Sequence, residues 1–237
     1  MISLLIPTRN RVRSVVNLIK SIHDTAESLD NIEFCFYIDS DDSNSISFFE
    51  NLPDDEEFKN IKYIVDKQIL LSETYNEMYK VAEGDIIMYA ADDIKFNTKN
   101  WDTIVENKFK EFEDGAALVF GFDGIQAPGH LATHGFVHRK LIDLLGYVLP
   151  PYFGADYADH WMTEIYSQVG RKIFVDLDIE HMHYSKGKTP IDETYLSSAL
   201  TRSQSQQTYS LEEMISKRRS DINKIRTYIS NFKKEDE

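Results

Sequence analysis

The stretch GDIIMYAADDIKF, residues 84–96, runs an unbroken apolar segment into two adjacent carboxylates, Asp92 and Asp93. An apolar run without polar alternation marks a strand buried on both faces, as in a parallel sheet covered by helices. Like charges side by side repel and resist burial, so a strand that delivers both at its tip requires a positive partner there. The same sequence thus predicts a fold and poses a chemical question about that partner.

Outward from this segment, short apolar runs alternate with helical patterns. Residues 2–7 (ISLLIP) read as a strand, followed by Val12, Val15, Val16 and Ile19 at helical spacing, with Asn10 as the expected N-cap. Strands are expected at IEFCFYID, ending at Asp39, and at residues 61–66 (IKYIVD). Leu71, Tyr75, Met78, Tyr79 and Ala82 share a helical face that Gly84 is expected to close. Trp101, Ile104, Val105, Phe109 and Phe112 mark a further helix, and AALVFGF a further strand. The pattern predicts an α/β, Rossmann-like, mostly parallel sheet flanked by helices. Such sheets bind ligands at the carboxyl ends of their strands, and those ends carry Pro7-Thr8-Arg9, Asp39-Ser40-Asp41-Asp42 and Asp92-Asp93.

The second half is less regular. It holds GHLATHGFVHRK, PPYFGADYADHW, an expected strand in KIFVDLDIEHMH and a polar stretch to Tyr209. From Leu211 onward, Met214, Ile215, Ile222, Ile225, Ile229 and Phe232 predict a long amphipathic helix over 210–237, seated on the body or on a second subunit as a homo-oligomer contact.

At 237 residues with 42% hydrophobic and 28% charged content, the chain suits one sizeable domain. No apolar stretch approaches the roughly 20 residues that span a bilayer. The apolar run at the amino terminus is too short for a secretory signal and its basic residues follow it. A lone cysteine, Cys35, excludes an internal disulfide and reads as a small buried hydrophobe. These features point to a cytoplasmic setting. A net charge of −14 disfavours generic binding to nucleic-acid phosphates. No G-x-G-x-x-G follows the first strand, and Gly187-Lys188-Thr189 lacks an upstream glycine because position 182 is Met. Nucleophile-elbow and H-E-x-x-H motifs are absent as well.

The blocks ISLLIPTRNR, FYIDSDDS and LLSETYNEMYKVAEGDIIMYAADD, with a late histidine, resemble a GT-A fold glycosyltransferase of the family 2 type. The order and spacing match over roughly residues 1–195, best in the first hundred. The resemblance implies a GT-A domain over 1–209, with a donor-nucleotide half (about 1–98) and an acceptor half (99–209). It implies a nucleoside-diphosphate sugar donor, a divalent metal (Mn²⁺ or Mg²⁺) and transfer to an acceptor hydroxyl with inversion. Pro7, Thr8, Arg9 and Arg11 would line the base and diphosphate pocket, Asp39 or Asp41 would contact base or ribose, and Ser72 and Asn76 lie on the helix closing over the nucleoside. Asp92 and Asp93 match the D-x-D acids, although the family often reads Asp-Ser-Asp-Asp where this chain has Ala90-Ala91-Asp92-Asp93. Which acid meets metal and which ribose stays open, with Asp93 favoured for metal.

A hard cation bridging carboxylates and phosphates would answer the charge question, and a histidine ligand would favour Mn²⁺. His183 is the favoured ligand and His181 the reserve; two apart on an expected strand, both would face one side. Asp159, in YADHW, is the expected general base and Asp156 the alternative, with an N-cap role open for either. His134, Gly135 and Trp161 are expected at the acceptor, and Tyr152, Phe153 and Tyr157 either join a sugar platform with Trp161 or pack the core. A glycan is the favoured acceptor, and a modified nucleic-acid base stays open. Two rival readings remain: a sugar nucleotidyltransferase, which lacks its glycine-rich triphosphate loop here, and a non-catalytic sugar-nucleotide-binding protein.

Overall fold

The computed structural model describes residues 1–235 apart from 54, 56 and 57, and describes 197, 198 and 235 by backbone alone. Residues 236 and 237 of the expected terminal helix lie outside the described residues. The strands are β1 (Ile2–Thr8), β2 (Ile32–Asp39), β3 (Ile61–Asp66), β4 (Ile86–Tyr89), β5 (Ile94–Phe96), β6 (Leu118–Phe122), β7 (Gly135–His138) and β8 (Lys172–His181). The helices are α1 (Val12–Thr25), α2 (Ser43–Glu50), α3 (Leu71–Tyr79), α4 (Trp101–Lys110), α5 (Arg139–Leu145), α6 (Ala158–Gln168), α7 (Glu193–Ser210) and α8 (Glu212–Glu235).

One sheet of order β3-β2-β1-β4-β7-β6-β8-β5 runs through the molecule. Its first four strands pair in parallel, with Leu4 opposite both Phe34 and Met88. β6 and β8 are also parallel, whereas β7 runs against β4 and β6, and β5 against β8. The sheet is therefore parallel where the apolar runs are longest and mixed where the sequence becomes irregular.

The alternation of side chains divides the core into two layers. Leu5, Cys35, Tyr37, Ile87, Tyr89 and Val137 face α3, α5, α6 and α8. Ile2, Leu4, Ile6, Phe34, Phe36, Ile86 and Met88 face α1, α2 and α4. Cys35 is buried as expected, and burial pushes its thiol up to about 12.

Several local expectations are corrected. Arg11, not Asn10, occupies the N-cap of α1; Asn10 takes a left-handed conformation and its N–H donates to Asp42, 2.6 Å away. α3 ends at Tyr79 with Lys80 as its C-cap, before Gly84. Gly84 serves close packing instead: its N–H donates to Ser3 Oγ at 2.8 Å, and a Cβ there would lie 2.4 Å from that oxygen. The polar stretch before Tyr209 is helix α7. The apolar face of α8 is spent on the body, with Met214, Ile222 and Ile225 buried in the layer that contains α6, so the chain itself provides the seat.

Candidate functional site

The carboxyl ends of β1, β2 and β4 meet at one edge of a cleft of about 500 Å³, as their sequence predicts. Thr8, the last residue of β1, donates its hydroxyl to Asp92 Oδ2 at 2.8 Å. Arg9 holds Asp39, at the end of β2, at 2.9 Å. Asp41 is tied to the outer side of the same guanidinium, and Asp39 rather than Asp41 lines the cleft with Pro7, Thr8, Arg9 and Arg11.

The positive object beside the paired acids is Arg11. Its Nη1 lies 3.1 Å from Asp92 and 3.3 Å from Asp93, and its Nε and Nη2 make a two-pronged contact with Asp192 at 2.7 and 2.9 Å. Asp93 also accepts from the Tyr195 hydroxyl at 2.6 Å and lies 3.3 Å from His181 Nε2. Both acids are nearly inaccessible, at 4% and 6% exposure. Burial and the charge of Asp93 push the Asp92 carboxyl up to about 7. Burial acts on Asp93 in the same direction, but His181, Tyr195 and Arg11 together hold it below the usual carboxylate range. Below about pH 7 the pair thus carries a single buried negative charge, held on Asp93.

The opposite wall comes from the second half of the chain. Asp159 stands in the first turn of α6, whose N-cap is Tyr157 in a left-handed conformation, so neither Asp159 nor Asp156 caps that helix. His160 holds Asp159 Oδ1 through its backbone N–H at 2.8 Å and its Nδ1 at 3.0 Å, which leaves Oδ2 for a ligand. Asp156 also lines the cleft, paired with Arg202. His134 lines the floor; it is 8% exposed, and burial, with His181 beside it, lowers its imidazole to about 4. Two buried imidazole nitrogens there, His134 Nε2 and His181 Nδ1, have no partner.

Some expected site residues stand elsewhere. Asn76 is a staple beneath the cleft: its amide accepts from Val148 N–H at 2.8 Å and donates to the Leu149 carbonyl at 2.9 Å. Ser72 does line the cleft, with its hydroxyl bonded to the Phe153 carbonyl at 2.9 Å. Gly135 lies under Tyr89, where a Cβ would come within 2.4 Å of the phenol oxygen. Trp161 is fully buried and donates to Tyr147 and Asp221, so it belongs to the packing of α6 on α8 and not to an acceptor platform. Phe153 is buried beside it.

The strand β8 stops at His181, so the two late histidines do not share a strand face. His181, not His183, is set against Asp93; His183 Nδ1 engages Ser185, 2.8 Å away, and its ring lies 5.1 Å from that of His181.

Sequence reasoning missed Asp192 and Tyr195, which close over the acid pair from the start of α7. Their signal is local: Asp192 caps α7 by accepting the Tyr195 N–H at 3.0 Å, an Asp-x-x-Tyr helix start that fixes both side chains. Tyr184 and Arg202 at the rim were missed too. Among the described residues no group of three or more His, Cys, Asp or Glu is arranged to hold a metal ion. What is present is a two-residue donor set, Asp93 and His181, with Asp92 beside it and with His181 Nδ1 and the neighbouring His134 Nε2 unpartnered. Such a set fits a divalent ion whose remaining positions a ligand fills with oxygen. No described helix is long and apolar enough to cross a membrane.

No family model and no curated protein matches the chain. Solved structures do. A mannosyltransferase, PcManGT from Pyrobaculum calidifontis, in complex with GDP-Man and Mn²⁺, is 12% identical with a TM-score of 0.61 over 97% of this chain and 74% of that one. TarS residues 1–349 from S. aureus, in complex with UDP-GlcNAc, gives 12% identity and a TM-score of 0.59 over 98% and 91%. A longer TarS structure gives 14% identity and 0.57 over 76% of this chain, which spans about a third (36%) of it. At these identities the likeness is one of architecture: the chain has a GT-A glycosyltransferase fold.

Proposed function

We propose that the chain transfers a sugar from a nucleoside diphosphate to an acceptor hydroxyl, with inversion and with a divalent metal. The reading is carried by one observation: Thr8, Asp39, Arg11, Asp92, Asp93, His181 and Asp159 line a single cleft at the carboxyl edge of the sheet. Residues 1–98 provide its donor wall, and the wall with Asp156 and Asp159 comes from 99–209.

Asp39 and Arg9 stand where the nucleoside enters, and Ser72 and Pro7 flank them. Asp93 and His181 would hold the metal, with Asp92 turned towards Thr8 and the ribose side. When bound, the metal supplies positive charge against the departing diphosphate. Arg11 already neutralises the acid pair and has donors within reach of the same place, so it can turn to the phosphates once its carboxylates gain another partner. Asp159 Oδ2 takes the proton of the acceptor hydroxyl as that oxygen attacks the anomeric carbon; the bond from that carbon to the diphosphate breaks, and its electron pair leaves with the nucleoside diphosphate. Asp159 lines the cleft, and holding Oδ1 through His160 fixes the carboxylate while leaving the second oxygen outside that contact. Support for a sugar-nucleotide donor comes from the complexes named above, PcManGT with GDP-Man and TarS with UDP-GlcNAc.

The test is thermal melting with Mn²⁺ against a panel of nucleoside diphosphates. A ligand at one hundred times its dissociation constant stabilises by about 2.7 kcal/mol. The expected outcome is stabilisation by at least one diphosphate, larger with Mn²⁺ and lost in Asp93→Ala. No stabilisation by any combination rejects the reading.

A further inference from the structure

From the floor of the cleft to its mouth runs a file of touching rings. His134 meets His181 at 5.0 Å between centroids, His181 meets His183 at 5.1 Å, and His183 meets Tyr184 and Tyr195 at 4.3 and 4.9 Å. Tyr184 and Tyr195 pack together at 4.7 Å, and the Arg11 guanidinium lies 4.4 Å over the Tyr195 ring. All five rings line the cleft, and the two tyrosines at the mouth are half-buried. Tyr195 is committed to the acid pair through its hydroxyl, whereas Tyr184 stands near Arg202, which pairs with Asp156. Asp156 lies three positions before Asp159, so this rim adjoins the carboxylate assigned to the acceptor proton.

We propose that Tyr184, backed by Tyr195 and His183, is the acceptor subsite and that it takes a neutral carbohydrate. This rests on the transferase reading of the same cleft. A pyranose offers an apolar face of C–H groups edged by hydroxyls. The negative π-face of an aromatic ring attracts that face, and nearby carboxylates accept from the hydroxyls. Asp156, Glu193 and Thr194 provide those polar edges. An anionic acceptor finds no such welcome. The Arg and Lys residues among the cleft's lining are Arg9, Arg11 and Arg202, each already paired with a carboxylate. A nucleic-acid strand could stack on the same rings, but its phosphates would face Asp156, Glu193 and a chain of net charge −14.

The experiment is saturation-transfer NMR on the whole chain with hexasaccharides of glucose, mannose, galactose and N-acetylglucosamine, and with a single-stranded oligodeoxynucleotide. At least one hexasaccharide should bind the wild type. Tyr184→Ala should weaken it about tenfold and Tyr184→Phe by no more than about twofold, because the ring and not the hydroxyl carries the contact. Melting temperatures check that both variants fold, and nucleoside-diphosphate stabilisation should be unchanged in both. The proposal is overturned if no hexasaccharide binds, if Tyr184→Ala binds as well as wild type, or if the oligodeoxynucleotide binds in preference. Hexasaccharide binding with the Tyr184 dependence, but without any diphosphate stabilisation, would sustain the carbohydrate subsite and reject the transferase reading instead.

Discussion

Replacing Arg11 by Gln removes the one cation among the described residues that faces Asp92, Asp93 and Asp192 together. Stripping a partner from a buried ion pair costs about 3–5 kcal/mol, because a charge is left without compensation. Asp192 is 40% exposed and adds little, in keeping with the 0–1 kcal/mol of exposed pairs. Asp92 softens the loss at neutral pH, since it binds a proton up to about pH 7 even with Arg11 present. We expect a loss of about 3 kcal/mol at pH 7. A carboxyl raised in the folded state stabilises most below its unfolded value, and that stability declines up to its folded pKa. Wild-type Asp92 has finished this decline near pH 7, whereas the variant's Asp92 keeps its proton to higher pH. The gap between the two proteins should therefore widen above pH 7 by up to about 1.4 kcal/mol per pH unit. Urea denaturation in EDTA at pH 6.5, 7.5 and 8.5 reads it directly. A loss below about 1 kcal/mol, or one that does not change with pH, would show that Arg11 is not the counter-charge of a buried acid pair.

Asp159→Asn should slow sugar transfer about 10²–10⁴-fold while nucleoside-diphosphate stabilisation is kept; a smaller fall would move the base to Asp156. His134 is held neutral down to about pH 4 while the unfolded chain protonates it near 6.5, so its contribution is full above 6.5 and is lost as pH falls towards 4. His134→Gln should accordingly flatten the acid side of the stability profile by up to about 1.4 kcal/mol per pH unit, and an unchanged slope would contradict that burial. Asp221→Ala leaves Trp161 Nε1 and the Tyr147 hydroxyl without their carboxylate, and should cost about 1–3 kcal/mol in denaturant melts without altering donor binding; equal stability would deny α8 its anchoring role.

What could be read from the sequence was what short-range pattern encodes. The apolar runs of β1, β2 and β4 declare a parallel sheet, and the carboxyl-edge rule for such sheets gathers Thr8, Asp39, Asp92 and Asp93. What escaped depended on distance or on burial. Asp192 reaches Arg11 across 181 positions, and no local pattern announces that contact. Trp161 and Asn76 have side chains that suit a ligand or an interior equally well, and only packing against α8 and the 148–149 loop assigns them. The two-residue period that would have aligned His181 with His183 fails because β8 ends between them. Helix α7 stayed hidden because it buries almost nothing apolar; the polar Ser205 is its most enclosed described side chain.

The clasp of Asp192 and Tyr195 on Arg11 and Asp93 also orders events during synthesis. A ribosome delivers Arg11 and both acids long before the residues that fasten them, so the growing chain carries these charges in water, where they are well solvated and cost nothing. Only when the residues that start α7 have followed them does this corner dry out, so the acid pair waits on Asp192 and Tyr195 for its shelter from water.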